Sequence, residues 1–371
     1  MRILSAKISA IMPWRAGFAP SGGNKCSGRI VILLLLIALG LPGCALPGYY
    51  AQAARGQISL LLRSEPIHAV VSDPGVSASR RRQLILASRI RRFAVEQLAL
   101  PNNGSYTRFV DVQRSYVLWN VFAAPEFSTK PLNWCYPIAG CVAYRGYFTE
   151  AGALNYATQL AEEGFDVYTG GVDAYSTLGW FDDPLFSTVM TRKNYQLAGL
   201  IFHELAHQIA YLPGDTTFNE SFATTVEREG LRRWLERMEQ EETIRVAEIE
   251  RNRQQQFIDL VVNFRDQFDE LYAEELNENK KRKRKRALQA KLLSEYESLK
   301  LSWGGYAGYD NWFSRSLNNA QLSTVSSYND LVAFFNTLLG QSNGSMPEFY
   351  AEVRRIIALP DNKRRELLGR F

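Results

Sequence analysis

Two histidines and a glutamate stand at the spacing of a metal-binding helix. His203, Glu204 and His207 form an H-E-x-x-H motif, which holds two of the three histidines in the 371-residue chain. Side chains four positions apart project from the same helix face, so both imidazoles can bind one ion. Glu204, one position along, can accept a proton from a water held there. The motif predicts a zinc site with a general base; a pair of surface histidines is the alternative.

A catalytic zinc site usually has three protein ligands and one position left for water. We predict Glu220 as the third ligand, because no third histidine follows at a spacing that would complete the site. Glu220 comes thirteen residues after His207, and the intervening Pro213-Gly214 turn lets a second helix pack beside the first. Glu227 and Glu229 are rivals for this position.

Other side chains are candidates for orienting the ligands or for stabilising negative charge on the scissile carbonyl. Asn219 and Thr224 flank Glu220 and are placed to orient metal ligands. A hydrogen-bond donor to the developing oxyanion is expected. The tyrosine candidates for that donor or for substrate binding, each with a packed ring as the alternative, are Tyr175, Tyr309 and Tyr328.

These residues need a framework, and the apolar periodicity indicates a mainly helical one. We predict helices over residues 80–100, about 150–163 and about 192–211, the last carrying the metal motif. Short strands are predicted within 106–122, 141–148 and 165–168. The glycine-flanked stretch from Gly170 to Gly179 precedes the metal helix, and we expect it to serve as an edge strand for the substrate backbone.

Beyond residue 230 the chain is charged, and its apolar residues indicate a long α-hairpin. Residues 239–256 are nearly all polar, so we expect them to project from the body; residues 239–286 are a candidate surface for a protein partner. Seven basic residues, Lys280 to Arg286, are placed at the hairpin tip, and without them the net charge of +5 would be −2. We interpret them as a solvated tip and predict no nucleic-acid partner; a nuclear signal or nucleic-acid patch is the alternative.

The N-terminal region has the pattern of an export signal. The apolar run from Ile30 to Gly40 is eleven residues long, which suits a signal peptide and is too short for a membrane span of about 20 residues. It ends in Leu41-Pro42-Gly43-Cys44, which resembles the lipobox of bacterial lipoproteins. This resemblance implies cleavage before Cys44, lipidation of its thiol, and anchoring at the outer membrane facing the periplasm. An ordinary signal peptide or an uncleaved anchor is the alternative.

Cys135 and Cys141 are the only cysteines after this leader. In an exported protein such a pair predicts a disulfide. A metal site there is disfavoured, because no histidine or further cysteine lies nearby. A loop this short fixes local shape more than global stability.

The motif HELAHQ (203–208) followed by NESFA (219–223) resembles the gluzincin peptidases, especially the neutral zinc aminopeptidases, with a shorter connection between the two helices. The chain is more similar still to a family of bacterial lipoproteins named predicted aminopeptidases. That resemblance rests on the leader, on Cys135 to Phe148, on Ala174 to Pro184 and on Asn318-Asn319-Ala320. It covers nearly the whole mature chain and implies zinc peptidase chemistry.

We therefore expect an α+β, mainly helical, gluzincin-like zinc peptidase with a small sheet and a long charged α-hairpin. Its expected parts are a signal peptide (1–43), a zinc peptidase core (44–230), a helical hairpin insertion (231–302) and a C-terminal helical part that completes the core (303–371). One zinc ion is the expected cofactor, and peptides are the expected substrates, hydrolysed from the amino end in the periplasm. The alternatives are an endopeptidase that processes envelope proteins and a non-enzymatic lipoprotein that binds a partner through the hairpin.

Overall fold

The computed structural model describes residues 6–7, 45–136, 140–177, 179, 181–315, 317–325 and 331–369. Most of these residues are helical. The helices are α1 (Ala45–Leu62), α2 (Ile67–Ser72), α3 (Ala78–Leu98), α4 (Glu150–Glu162), α5 (Asn194–Ala206), α6 (Thr216–Arg237), α7 (Glu241–Ala273), α8 (Glu278–Ser302), α9 (Asp310–Phe313), α10 (Asn319–Leu322), α11 (Val332–Gln341), α12 (Met346–Ile357) and α13 (Asp361–Leu368), with a 3-10 turn at Ser187–Val189.

The strands in the described ranges are short and form four small sheets. They are β1 (Ala6–Lys7), β2 (Glu65–Pro66), β3 (Arg108–Val110), β4 (Leu118–Pro125), β5 (Trp134–Tyr136), β6 (Gly140–Val142), β7 (Arg145–Tyr147), β8 (Phe165–Val172), β9 (Tyr175–Ser176) and β10 (Leu185–Phe186). Their orders are β1-β9, β10-β3-β2, β7-β4-β8 and β5-β6. The predicted α+β class with small sheets is confirmed.

The sheet β7-β4-β8 is antiparallel and places β8 at one edge. Leu118 pairs with Val172 and Pro125 pairs with Phe165, so β4 and β8 run side by side over eight residues. Nearly every residue of β4 is buried, which explains why its sequence is apolar apart from Asn120 and does not alternate. The helix predicted over 150–163 is confirmed as α4, which Thr149 caps by accepting from the Gly152 backbone N–H at 3.2 Å.

The largest core cluster surrounds the two helices that carry the metal motif. It takes side chains from α3, α5, α6, α11 and α12, including Phe93, Phe202, Phe222 and Phe349. Helix α3 presents Leu84, Ala87 and Ile90 to this core, at the spacing expected for one helix face. The α5 helix is buried along most of its length.

The predicted hairpin is present as α7 and α8, and it has a core of its own. Phe257, Phe264 and Phe268 from α7 pack against Leu292 and Tyr296 from α8. The segment after the hairpin contributes Trp303, Tyr309, Trp312 and Phe313 to the same cluster. The hairpin is therefore covered on its apolar side by the chain that follows it.

The polar residues 239–256 do not project from the body, and this prediction was wrong. Ala247 lies in the main core cluster. Glu250 accepts hydrogen bonds from Lys193 Nζ at 2.7 Å, Tyr195 Oη at 2.5 Å and Gln196 Nε2 at 3.0 Å. The first turns of α7 are polar because they pack on the polar start of α5.

The basic run begins α8 just after the hairpin turn, and two of its residues contact the body. Arg282 Nε donates to Glu126 Oε1 at 2.7 Å. Lys285 is buried and donates from Nζ to Asp166 Oδ2 at 2.7 Å and to the Glu126 carbonyl at 2.9 Å. Part of the run therefore holds the hairpin against the three-stranded sheet instead of standing in solvent. No helix in the described part of the chain has the length and apolarity to cross a membrane.

Candidate metal centre

The motif helix α5 and the following helix α6 pack closely because the contact contains a glycine. A Cβ built at Gly230 would lie 2.6 Å from Leu98 Cδ1 and 2.9 Å from Phe202 Cδ2. Both distances are shorter than any real Cβ contact, so a larger residue would push α6 away from α5. Glycine is costly inside a helix, and here it permits the approach that brings the ligand residues together.

The connection from α5 to α6 is fixed by hydrogen bonds from the first turn of α6. Asp215 caps the helix by accepting from the Phe218 N–H at 2.9 Å. The Asn219 side chain accepts from the Leu212 N–H at 2.7 Å and donates to the Leu212 carbonyl at 2.8 Å. Asn219 is almost fully buried, and it clamps the connection immediately before Glu220. The predicted role of Asn219 in orienting the metal ligands would be exerted through these two hydrogen bonds.

The structure brings His203, His207 and Glu220 into one group, whose candidate ligand atoms all lie within 4.8 Å of one another. Glu220 Oε2 is 3.1 Å from His203 Nε2, and Glu220 Oε1 is 3.6 Å from His207 Nε2. Two ligands about 2.05 Å from a tetrahedral zinc ion would be about 3.3 Å apart, and the two measured separations bracket that value. The donor set of two imidazoles and one carboxylate is also one that catalytic zinc takes. The residues present therefore fit a zinc ion.

Glu227 contacts the other face of His203. Its Oε2 lies 3.1 Å from His203 Nδ1, two helical turns beyond Glu220 on the same side of α6. A carboxylate in this position fixes the tautomer and orientation of a metal-binding imidazole, leaving Nε2 for the metal. Glu229, the other rival ligand, is ion-paired with Arg232 and Arg233 instead.

The charges around His203 strongly favour its protonated form when no metal is bound. Burial lowers the pKa of His203, but hydrogen bonds to Glu220 and Glu227 outweigh burial and raise it to about 10. A metal ion at Nε2 would have to displace that proton. The carboxylates of Glu220 and Glu227 around the His203 imidazole therefore favour the binding of a cation.

Glu204 is 1% exposed and interacts electrostatically with a second group of buried polar residues. Asp183 accepts hydrogen bonds from Thr177 N at 2.9 Å, Thr177 Oγ1 at 2.7 Å and Ser176 Oγ at 3.1 Å. Burial raises the pKa of Asp183 to about 7, with a further contribution from the charge of Glu204. Burial and the charges of Glu204 and Asp183 raise the pKa of Tyr106 well above 10. Glu204 therefore interacts with a second carboxyl group, that of Asp183, and with the phenol of Tyr106.

A cleft of about 880 Å³ opens over the metal group. His203, Glu204 and Glu220 line one part of it, and Gly170 and Gly171 of the edge strand β8 line another. Further along the edge of β8, the carbonyls of Val167 and Thr169 accept hydrogen bonds from the side chains of Asn318 and Arg315. No side-chain hydrogen bond from a described residue reaches the backbone of Gly170 or Gly171, which line the same cleft as His203 and Glu220.

A sequence model of the family described as "Putative aminopeptidase" matches residues 48–368, which is most of the 371-residue chain. The chain belongs to this family. No significant match was found among curated proteins or among solved structures. The matched range includes every residue of the His-His-Glu group, so family membership and site geometry concern the same part of the molecule.

The tyrosines predicted as oxyanion or substrate residues do not join the metal group where they are described. Tyr175 is buried in a separate cluster, stacks on Phe186 and donates from its hydroxyl to Gln57. Tyr309 stacks on Phe257 at 4.1 Å between ring centroids, inside the hairpin core. Tyr328 lies outside the described residues. The tyrosines that do line the cleft are Tyr116, Tyr144, Tyr168 and Tyr211.

Two other predictions concern cysteines. A disulfide joins Cys135 to Cys141 across the two-stranded sheet β5-β6. Cys44, the predicted lipidation site, lies outside the described residues.

Nothing in the sequence indicates the buried pair Asp183 and Tyr106 or the arginines of the cleft, and Glu227, predicted as a rival ligand, instead contacts His203. Asp183 does fall within the Ala174–Pro184 stretch on which the family resemblance rests, but nothing in that stretch indicates contact with Glu204. Each of these contacts depends on how distant segments cross, and periodicity does not encode that.

Proposed function

We propose that this member of the family is a zinc-dependent peptidase in which His203, His207 and Glu220 hold the ion and Glu204 is the general base. The observation that carries the proposal is the convergence of these three ligand side chains beside a buried glutamate at the floor of an open cleft. The family description supplies the class of substrate. A purely structural metal site would have no need of a carboxylate at position 204.

The roles of the residues follow from their positions. When bound, zinc would supply a Lewis acid that polarises the scissile carbonyl and lowers the pKa of a water to about 7. Glu204 accepts the proton of the attacking water and passes it to the leaving amine. Glu227 holds the His203 ring through Nδ1, and Asn219 fixes the connection that precedes Glu220. Tyr211, which lines the same cleft as Glu204, is the nearest tyrosine in sequence to the motif and the candidate donor to the oxyanion.

We further propose that the substrate backbone adds to the free edge of β8 at Gly170 and Gly171, with cleavage from the amino end. Strand addition supplies main-chain hydrogen bonds that do not depend on the substrate sequence. An aminopeptidase also needs an acidic group for the substrate ammonium. Of the acids in the cleft, Glu150 is exposed and forms no ion pair with a described residue, whereas Asp173 is ion-paired with Arg192. Glu150 is therefore the better candidate.

The proposed location follows from the leader sequence. We propose that Cys44 becomes the lipidated N-terminus and that the enzyme faces the periplasm. Cys44→Ser should release the chain from the membrane fraction or block its processing. Unchanged membrane association through an intact leader would contradict lipidation.

The central experiment separates the base from the third ligand. Glu204→Gln should keep about one zinc ion per chain while peptide hydrolysis falls by about 10²–10⁴-fold, because a neutral amide cannot accept the proton. Glu220→Gln should lose zinc as well as activity, because a neutral amide oxygen replaces a charged ligand. Glu229→Gln, on the same helix but outside the site, is the matched control.

Zinc is measured by elemental analysis and cleavage by mass spectrometry of a peptide library, with and without chelator. Products that lack only amino-terminal residues would support an aminopeptidase, and internal cuts would indicate the endopeptidase alternative. Hydrolysis that survives Glu204→Gln would refute the enzymatic proposal.

A further inference from the structure

Five arginines line the cleft, and four of them form no ion pair with a carboxylate among the described residues. Arg192 is the exception, since it is paired with Asp173. The other four are Arg228, Arg251, Arg265 and Arg315. These four guanidinium groups are called the basic part of the cleft, and the metal-site residues Glu204, Glu220 and Glu227 are among the acids that line the same cleft.

Arg228 and Arg251 interact electrostatically with each other within the basic part. They come from α6 and α7, and both are half-buried. Burial and the positive charge of Arg251 lower the pKa of Arg228, while Glu227 opposes this shift. Neither guanidinium makes a hydrogen bond to another described residue. Two partly buried like charges without a partner destabilise a fold, and they are expected where an anionic ligand supplies the missing charge.

The distance from the metal group suits a peptide. Glu220, Thr224 and Arg228 follow one another at four-residue intervals on α6, and all three line the cleft. At 1.5 Å per residue, the Arg228 backbone lies about 12 Å along the helix from Glu220. Helical side chains lean toward the N-terminus, which brings the guanidinium nearer. Since an extended peptide covers about 3.3 Å per residue, a group two or three residues from the scissile bond would reach it.

Helix α7 extends the basic part into a wall. Arg251, Gln254, Ile258 and Arg265 all line the cleft, and their spacing places them on one face of the helix. Arg265 also has a buried Nε with no hydrogen-bond partner among the described residues. The wall therefore offers donors and no acceptor charge to a peptide lying along it.

We propose that Arg228 and Arg251 form a carboxylate subsite, so that the preferred substrates are peptides with an acidic side chain or a free C-terminus two or three residues from the scissile bond. This inference rests on the proposed peptidase function for its chemistry, but the binding it describes does not require hydrolysis. A guanidinium pair suits a carboxylate because each group can donate two parallel hydrogen bonds.

The test is a binding measurement with the full chain carrying Glu204→Gln and loaded with zinc. Four matched tetrapeptides carry Glu or Gln at the third position and a free or amidated C-terminus, which places the two carboxylates two and three residues beyond the first peptide bond. Their affinities are measured by fluorescence anisotropy. The peptide with the favoured carboxylate should bind about tenfold or more tightly than its neutral partner, since a hydrogen bond to a charged group contributes about 1.5–3 kcal/mol. The Glu arm and the C-terminal arm show which carboxylate the subsite takes.

Arg228→Gln and Arg251→Gln should each abolish that preference, so that the ratio of affinities between the charged and the neutral peptide falls to about one. Arg251→Lys should keep part of it, because the charge remains but the paired donors are lost. Arg245→Gln is the control, since Arg245 is an exposed residue of the same helix paired with Glu242. Denaturation midpoints of all variants show whether they fold.

Equal binding of the four peptides, or a preference that survives both Arg→Gln changes in folded protein, would overturn the subsite. Wild-type protein is tested for hydrolysis of the same peptides. Carboxylate-dependent binding without any hydrolysis would refute the peptidase proposal and leave the subsite standing.

Discussion

Glu227→Gln is the sharpest test of how the metal group is organised. Glu227 Oε2 lies 3.1 Å from His203 Nδ1, and the side chains of Glu227 and His203 are 21% and 12% exposed. Glutamine keeps an oxygen that can accept from Nδ1 but loses the charge, so the ring stays oriented and becomes a weaker donor to the metal. Loss of such a carboxylate typically costs about 10–100-fold in metal affinity. Because the hydrogen bond itself can survive, we expect about tenfold, or about 1.4 kcal/mol.

The assay is competition for zinc with a chromophoric chelator at pH 8. Glu220→Gln provides the comparison for loss of a ligand and should cost more than Glu227→Gln. Glu229→Gln should match wild type, since its ion pairs are with Arg232 and Arg233. Unchanged zinc affinity in folded Glu227→Gln would refute the orienting role. If Glu227→Gln cost more than Glu220→Gln, Glu227 and not Glu220 would be the third ligand.

Two further predictions concern the same site. Zinc affinity should rise with pH, by up to about tenfold per pH unit, because the metal displaces a proton from His203, whose pKa without metal is raised to about 10. Calorimetry in buffers of different ionisation enthalpy should show that this proton is released at pH 8. A zinc affinity that does not change with pH would contradict the prediction. Asn219→Ala should lower the free energy of unfolding by about 1–3 kcal/mol, because Leu212 N–H and carbonyl lose their partners. Denaturant unfolding measures this, with Thr224→Ala as a control on the same helix.

The parts of the molecule that depend on a local sequence pattern could be predicted from the sequence. The motif helix follows from its apolar face and from the spacing of His203 and His207, and α4 follows from its cap and periodicity. The polar start of α7 was misjudged because polarity alone does not distinguish solvent from a polar partner. Glu250 is partnered by Lys193 and Tyr195, which lie far from it in sequence.

The aromatic candidates failed for a related physical reason. A tyrosine carries both a large apolar ring and a hydrogen-bonding hydroxyl, so its presence near a motif indicates either a site or a core. Tyr175 and Tyr309 are core residues. The contact between Glu227 and His203 depends on the close packing of α5 and α6 that Gly230 permits. A glycine within a helical pattern does not indicate which residues pack against it.

The position of the hairpin gives it a direct part in shaping the cleft. Helix α7 is a single helix of 33 residues. Ala247 lies in the main core, and Phe257 to Phe268 lie in the hairpin core; Ala247 and Phe268 are about 31 Å apart at 1.5 Å per residue. Arg251 lies near the first of these anchors and Arg265 near the second. Because an unbroken helix joins two packed cores, the cleft wall moves only if one core repacks. The packing of the hairpin therefore sets the distance between the basic wall and the metal ligands.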